Sequence, residues 1–451
     1  MKLKMKIKKN GKNPNGVGRS LEEVSIRAHE LSRGKVEQIG RVTIKNMKDL
    51  AVFYAPGVAY VSSAIRANKR LSYKYTGRGN RIAIISDGSR ILGLGDIGPE
   101  AGLPVIEGKA LLFKRFGNVD ALPLAIEAAS TEQIIEFAKA IEPSVGGINL
   151  EDISSSKCFD VFDRLQKELN IPVFHDDRHG TAVVVYSALI NAMKVVGKDI
   201  KTAKIVINGA GAAGTGIAQL LLAAGATNII MCDGRGIIYK GRNDNMTPTK
   251  ELLAEYTNKA QIKGQLADAA KDAAVLIGAS TAGAFNENVI KLMAQNPVVF
   301  ALAIPEPEIS YEKAKAAGAV IVATGNSGVP NQVNNLLAFP AVFRGALDAQ
   351  ARKINTAMLQ AAGEELARNV KKQLLSIDHI IPNFINEDIT EVTANVAAAV
   401  AKSAIDTGVA GIKVDPAAVR KNVRLILKRY SKMEKTIAKL GSEREISRLL
   451  K

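Results

Sequence analysis

The stretch Ile205-Val206-Ile207-Asn208-Gly209-Ala210-Gly211-Ala212-Ala213-Gly214 constrains this chain more than any other. It is an apolar run that ends in G-x-G-x-x-G. A helical run follows over 217–224. Asn228-Ile229-Ile230-Met231-Cys232-Asp233 is then a second strand-like run closed by an acid, 19 residues after Gly214. The glycines alone say little, but strand, glycines, helix, strand and acid in this order each have a mechanical job. Gly209 permits a tight turn, Gly211 lets backbone approach a pyrophosphate, and Gly214 lets helix and strand pack closely. The helix N-terminus presents free N–H groups to the phosphates. Asp233 is placed to accept hydrogen bonds from the adenosine ribose. The pattern predicts a Rossmann-like dinucleotide-binding unit.

A chain of 451 residues holds two or three domains, at about 150 residues each. No run approaches the ~18–20 apolar residues of a membrane helix, and the lysine-rich start has no secretory h-region. The two cysteines, Cys158 and Cys232, lack any C-x-x-C partner. A reducing compartment, the cytoplasm, and no disulfide are expected. The net charge of +17 would suggest nucleic acid, but its distribution argues against that. Residues 1–20 carry seven Lys or Arg and no acid, and residues 411–451 carry twelve against Asp415, Glu434, Glu443 and Glu445. The ends therefore hold +15 of the +17, and the body is nearly neutral. The first 20 residues read as a basic arm. The C-terminal end keeps a helical apolar pattern at Val419, Val423, Leu427 and Tyr430, which makes its charge a solvated helix face.

Four segments are expected: the arm 1–20, an N-terminal α/β domain 21–179, a nucleotide-binding domain 180–345 and a helical segment 346–451 with a basic end. Leu21 to Gly34 reads as a helix, and residues 41–80 mix short helices with turns. Residues 81–86 read as a strand. Four glycines between Ile91 and Gly102 suggest backbone close to a ligand or another strand. Helices are predicted over 107–116 and 131–140, and strands over 146–152 and 171–174. From about 180 the pattern alternates as βαβ units do, with strands at 275–278, 298–301 and 320–323. No internal repeat is present.

Two carboxylate pairs, Glu151-Asp152 and Asp176-Asp177, close two of the predicted strands. Ligands of parallel α/β sheets lie beyond the carboxyl ends of strands. Acids at neighbouring ends can converge into a site for a hard cation, Mg²⁺ or Mn²⁺. A single acid there would read as a cap. His175 and His179 flank a turn and read as structural. A metal beside a nicotinamide suggests hydride transfer from an alcohol that chelates the metal, such as a 2-hydroxy acid. Such a reaction needs a base for the hydroxyl proton. Lys109 reads on its own as a solvated helix lysine, but burial near metal charge would lower its pKa towards base duty.

The chain resembles the malic enzymes of the short prokaryotic and archaeal type. The matching motifs are Phe53-Tyr54-Ala55-Pro56-Gly57-Val58, the run from Ser86 to Asp96, Glu107-Gly108-Lys109, Gly146 to Ile153, Phe174 to Ala182, and Val333-Asn334-Asn335. They occur in the family's order over residues 20–410. The resemblance implies an N-terminal malic-type α/β domain joined to a Rossmann-like domain, with oxidative decarboxylation of malate to pyruvate and CO₂ by NAD or NADP. It implies that Glu151, Asp152 and Asp177 hold the metal and that Asp176 supports Lys109. Lys109 would take the hydroxyl proton, and Tyr54 would protonate the enolate carbon. Arg90 and Asn335 would bind substrate, and Thr181 and the glycine loop would touch the dinucleotide. A homodimer or larger homo-oligomer, with no membrane or nucleic-acid partner, completes the expectation.

Four departures bear on substrate choice. Ile304 stands where the family has an Asn that contacts substrate. Asn326 and Gly328 replace Arg and Asp, and Arg178 stands where Gln is common. A dehydrogenase of a related 2-hydroxy acid without efficient decarboxylation is therefore an alternative. So is a non-catalytic binding role through the basic ends. The coenzyme is open as well: Asp233 repels a 2′-phosphate, while Arg235 and Lys240 could bind one.

Overall fold

The computed structural model describes residues 20–91, 94–128, 130–383 and 386–437, together with Ile446. Apart from Ser20, the expected basic arm lies outside the described residues, as does Gly93 of the glycine-dense segment and nearly all of the chain beyond Ile437. One compact unit contains the chain up to Ile39 and from Ser431 onwards; the other is Gly40–Tyr430. In the first, helix Leu21–Ser32 opens on a capping box. The Ser20 hydroxyl accepts from Glu23 N, and the Glu23 carboxylate accepts from Ser20 N. It ends on Arg33 in the left-handed conformation, just before the Gly34 foreseen as its terminator.

The unit Gly40–Tyr430 holds two parallel sheets. The first has the order β2-β1-β3-β4, from β1 (Arg81–Ser86), β2 (Asp120–Ala125), β3 (Ile148–Leu150) and β4 (Val173–His175). The second has the order β10-β9-β8-β5-β6-β7. It is built from β5 (Ile205–Asn208), β6 (Ile229–Asp233), β7 (Gly236–Ile237), β8 (Val275–Gly278), β9 (Val298–Ala301) and β10 (Ile321–Thr324). Among the described residues, every strand pair within these two sheets is parallel except β6–β7. Both sheets are covered on two faces, which is why β5, β8 and β9 read as unbroken apolar runs without alternation. The architecture is the α/β arrangement expected.

Two elements differ from the sequence reading for reasons of proline chemistry. Proline usually ends a helix, yet the helix expected over 107–116 continues back across Pro104. It in fact runs Pro99–Gly117, with Pro99 in its first turn and Pro104 inside. Strand β2 was not expected and contains Pro123; it is an edge strand, where proline is tolerated.

The C-terminal helices do not extend the second sheet. Helices Phe339–Asp348 and Ile389–Asp406 pack on Pro99–Gly117 beside the first sheet. The Phe113 ring meets Phe339 at 4.6 Å and Phe343 at 5.3 Å. A side chain on Gly117 would collide with the Pro340 carbonyl at 2.9 Å.

The expectation that no apolar run is long enough to cross a membrane needs one correction. Among the described residues, Met47–Ala67 has the length and composition to do so. It is nonetheless split into helices Met47–Phe53 and Gly57–Ala67 by Tyr54-Ala55-Pro56. Such a break exposes backbone polar groups, which lipid does not tolerate. No residue of either helix is buried, and Met47, Val52, Phe53, Tyr54, Val58 and Tyr60 are all exposed.

Candidate active site

The register of the first sheet brings the acids together. Leu150 of β3 pairs with His175 of β4 in parallel, so Glu151-Asp152 and Asp176-Asp177 leave adjacent strand ends side by side. Glu151, Asp152 and Asp177 each place a carboxylate oxygen within 4.8 Å of the other two. Neither His175 nor His179 joins them. The His179 ring stacks on Phe162 and Phe174, and its Nδ1 accepts from His175 N. Burial lowers both imidazoles below the usual range.

The acids are energetically unfinished by themselves. Asp152 has a left-handed φ of 51°, and its buried Oδ2 has no hydrogen-bond partner. An unpartnered, strained acid is a mark of function. Burial, reinforced by Asp177, pushes the Asp152 carboxyl up to about 7. Burial likewise holds Glu151 well above the usual carboxylate range, despite the opposing charge of Lys109. Three crowded oxygens on hard donors, short of positive charge, fit a divalent cation such as Mg²⁺ or Mn²⁺.

Lys109 sits on helix Pro99–Gly117 and points into the same cluster. Its Nζ lies 2.6 Å from Asp176 Oδ2 and 2.9 Å from Glu151 Oε1, above the Phe339 ring at 4.5 Å. It is not the solvated lysine that its sequence neighbours suggest. Burial alone would lower its pKa, but Asp176 and Glu151 outweigh that and hold it protonated. The other oxygen of Glu151 accepts from Asn149 Nδ2 at 2.8 Å.

Asp176 opens a single π-helical turn, Asp176–Gly180, that runs into helix Thr181–Val195. Such turns recur at functional sites. Asn335 donates from Nδ2 to Asp176 Oδ2 at 2.9 Å and to Thr181 Oγ1 at 3.1 Å. A Cβ on Gly180 would lie 2.1 Å from Asp176 Oδ1. Arg90 is exposed beside the acids. Its amide donates to the Asp152 carbonyl at 3.0 Å and its Nη1 to Ser155 Oγ at 2.9 Å. Tyr54 is the one expected catalytic residue that the single chain leaves apart. Its side chain is 67% exposed, and its hydroxyl has no partner among the described residues.

The glycine loop follows β5 as its spacing implied. Gly209 has φ 126°, and a Cβ there would meet the Ala279 carbonyl at 2.2 Å. A Cβ on Gly214 would lie 1.8 Å from the Gly209 carbonyl. Near Gly211 the space is open, with only Ser155 Oγ within 4 Å. Gly211 caps helix Ala212–Ala223 without a side-chain hydrogen bond, so its first amides are available to an anion.

At the end of β6, Asp233 is already occupied. Its two oxygens accept from Arg235 N, Arg242 Nη1 and Nη2, Asn245 Nδ2 and Lys250 Nζ. Despite partial burial, these donors pull its carboxyl down to about 2. Sequence reasoning missed Arg242 and Lys250 because they come from the loop and helix beyond β7. It also missed Glu308, which is fully buried and accepts from Ser280 N at 2.8 Å and Ala303 N at 2.9 Å. Glu308 thus ties the ends of β8 and β9 together. The acidic run Pro305-Glu306-Pro307-Glu308 was its only signal.

A family model described as "malic enzyme, N-terminal domain" matches residues 33–166, and one described as "malic enzyme, NAD binding domain" matches 179–405. The chain is 48% identical over 405 residues to the bifunctional malic/malolactic enzyme of Bacillus subtilis (strain 168), covering 90% of this chain and 98% of that protein. It is 46% identical over 377 residues to the NAD-dependent malic enzyme of Geobacillus stearothermophilus, covering 84% and 78%. The crystal structure of malic enzyme from Pyrococcus horikoshii Ot3 superimposes with a TM-score of 0.88 at 43% identity, covering 92% of this chain and 98% of that one.

Proposed function

The chain belongs to the malic enzyme family, and on that premise we propose how its own residues divide the reaction. The enzyme oxidises and decarboxylates malate to pyruvate and CO₂ while reducing NAD or NADP. One observation carries the assignment of the site: three carboxylates with an orphaned oxygen adjoin a buried lysine–aspartate pair. When bound, a divalent cation would polarise the C2 oxygen of malate, and the dinucleotide would accept the C2 hydride.

Glu151, Asp152 and Asp177 would hold the cation, whose charge would favour the neutral form of Lys109. Lys109 is an ammonium in the metal-free site, so it must first give up a proton to solvent; as the free amine it then takes the C2 hydroxyl proton. Asp176, fixed by Asn335, orients Lys109. Arg90 pairs with a malate carboxylate, and Asn335 contacts substrate. Gly209, Gly211 and Gly214 receive the pyrophosphate, with Thr181 beside them and Asp233 at the ribose end. Loss of CO₂ from the β-keto acid leaves an enolate. Tyr54 then gives its proton to C3 to yield pyruvate.

We divide the labour between a malic-type domain, 21–179, and a dinucleotide-binding domain, 180–345, with the helical segment 346–451 behind them. Helices Met47–Phe53 and Gly57–Ala67 bury no residue and expose Met47, Val52, Phe53, Val58, Tyr60 and Val61, a contiguous apolar run of the kind that marks an interaction surface. A second copy of the chain covers it, which makes the working form a cytoplasmic homodimer and gives Tyr54 a route into a site. Malate with Mn²⁺ and each coenzyme, followed separately for reduced coenzyme and pyruvate, tests the chemistry. Equal yields of the two products are expected; reduced coenzyme without pyruvate would point to the non-decarboxylating alternative. Sedimentation equilibrium tests the dimer, and a monomer at micromolar concentration would exclude it.

A further inference from the structure

Asp87 is a buried carboxylate at the edge of the site, and neither the cation nor the proton transfers employ it. It directly follows β1, which lies beside β3 with Ile85 opposite Leu150. The loop that carries Arg90 therefore leaves the sheet next to the loop that carries Glu151 and Asp152. Among the described residues, Asp87 stands outside the three-carboxylate cluster. Its side chain is only 1% accessible. A carboxylate so buried is costly unless it is paired and hydrogen-bonded.

Both of its oxygens are engaged. Oδ1 accepts from Ser89 N at 3.1 Å and from Ser89 Oγ at 2.6 Å. Oδ2 accepts from Lys157 Nζ at 3.0 Å, on helix Ser155–Glu168. The Ser89 hydroxyl, with its proton directed at Asp87, accepts in turn from Ser154 N at 2.9 Å. Arg90 adds two ties to the same segment, from its amide to the Asp152 carbonyl at 3.0 Å and from Nη1 to Ser155 Oγ at 2.9 Å. The turn has no room to slide, because Gly88 has φ 70° and a Cβ there would meet the Gly98 carbonyl at 2.3 Å. The Oδ1 contacts make a short turn that an asparagine would form as well. What the carboxylate adds is a second acceptor oxygen and a charge, and both face Lys157.

We infer that Asp87 is a positioning residue for Arg90. Through Ser89 and Lys157 it fixes the loop 86–90 against the segment 152–157, and so presets the guanidinium that pairs with a malate carboxylate. The inference rests on that reading of Arg90. Holding the backbone around an exposed arginine before substrate arrives lowers the ordering cost of binding. The effect belongs to malate and not to the dinucleotide, whose glycine loop follows β5 in the other sheet.

The test compares steady-state constants of the full chain with saturating Mn²⁺. Asp87→Asn keeps the turn and removes the charge. It should raise the malate KM five- to tenfold, change kcat less than twofold and leave the coenzyme KM unchanged, the pattern of lost ground-state binding. Adding Lys157→Gln, which supplies a neutral acceptor to the new amide, should reverse at least half of that rise. A merely structural role would lower kcat through loss of folded enzyme, with no selective effect on malate and no rescue by the second substitution. That result, or an unchanged malate KM, would overturn the inference. Arg90→Gln is the reference: if it raises the malate KM and Asp87→Asn does not, the positioning role alone falls, whereas an unchanged KM in Arg90→Gln removes the reading of Arg90 and this inference with it. Should Asp87→Asn fail to fold, Ser89→Ala decides, since it breaks only the hydroxyl link to Ser154 and should raise the malate KM two- to threefold.

Discussion

Lys109 Nζ lies 2.9 Å from Glu151 Oε1, so the residue proposed to carry the hydroxyl proton and one proposed to hold the metal are bound to each other. On that proposal a cation and a lysine proton compete for one carboxylate. Metal binding should release protons, and the base should become competent only when the cation has arrived.

That competition gives a pH signature in the metal-free protein. The Asp152 carboxyl is raised to about 7, chiefly by burial. A carboxyl whose folded pKa exceeds its unfolded value binds more protons when folded, so stability falls as pH rises between the two values. The protein in chelator should therefore melt at a higher temperature at pH 6 than at pH 8. Saturating Mn²⁺ should remove or reverse that difference. Identical slopes with and without metal would show that Asp152 does not face the cation.

Glu151→Gln and Asp177→Asn should each remove most turnover, because each deletes one charge from a three-carboxylate set. Millimolar Mn²⁺ should restore part of the rate by mass action. Full activity in a chelated, metal-free preparation would exclude the metal role.

Lys109→Ala should stop malate oxidation more completely than Tyr54→Phe does, whereas Tyr54→Phe should slow protonation at C3. Partial reactions separate them: reduction of supplied oxaloacetate reports on Lys109, and solvent-proton exchange at C3 of pyruvate reports on Tyr54. Tyr54 is exposed on the uncovered apolar face. Mixing the two inactive variants should accordingly recover activity if each site draws its tyrosine from the partner copy. Equal loss of every partial reaction in both variants would refute separate roles.

How far the sequence foretold this site depends on where each residue's partners lie along the chain. The acids could be paired because strand-end chemistry is local, and the glycine loop because its turn, approach and packing all fall within Gly209–Gly214. Lys109 could not be recognised as buried, because the carboxylates around it come from 42 and 67 residues away, at Glu151 and Asp176. Asp233 shows the opposite limit. Its position is the one expected of a ribose-binding acid, but its oxygens are taken by Arg242 and Lys250, which a strand–acid pattern does not contain. Helix Pro99–Gly117 and strand β2 were obscured by prolines that tertiary packing accommodates.

The commitment of Asp233 leads to a coenzyme prediction. With five donors on its oxygens, it has little capacity left for a ribose diol, and Arg235 stands 66% exposed beside it. Asp233→Asn should cost stability by about 1–3 kcal/mol, because Arg242 and Lys250 lose the charge that pairs them. It should raise the NAD KM by less than the roughly threefold to tenfold that loss of a direct hydrogen bond would cause. Arg235→Ser should raise the Kd for 2′-phospho-AMP while leaving that for AMP unchanged. A large, selective loss of NAD affinity in Asp233→Asn would instead mean that the aspartate turns to the ribose when coenzyme binds.

Ile304 stands where the family resemblance expects a substrate-contacting Asn, and we propose that it borders the substrate pocket. It follows β9 in the loop that Glu308 ties down through Ala303 N, and its side chain is 54% exposed. An apolar side chain open to solvent at the edge of a polar site leaves a substrate carboxylate or hydroxyl with water as its partner. Ile304→Asn should therefore lower the apparent KM for malate, since one added hydrogen bond contributes about 0.5–1.5 kcal/mol net, or roughly threefold to tenfold in binding. The side chain also packs over Gly325, where a Cβ would lie 3.0 Å from Ile304 Cδ1, so the shorter Asn fits without displacing backbone. If Asn at 304 weakens malate binding, the isoleucine makes an apolar contact that the substrate uses. The preferred 2-hydroxy acid would then carry a methyl or methylene group where malate carries oxygen. A panel of such acids, measured on both forms with Mn²⁺ and the better coenzyme, separates these outcomes by whether the substitution shifts preference towards malate or away from it.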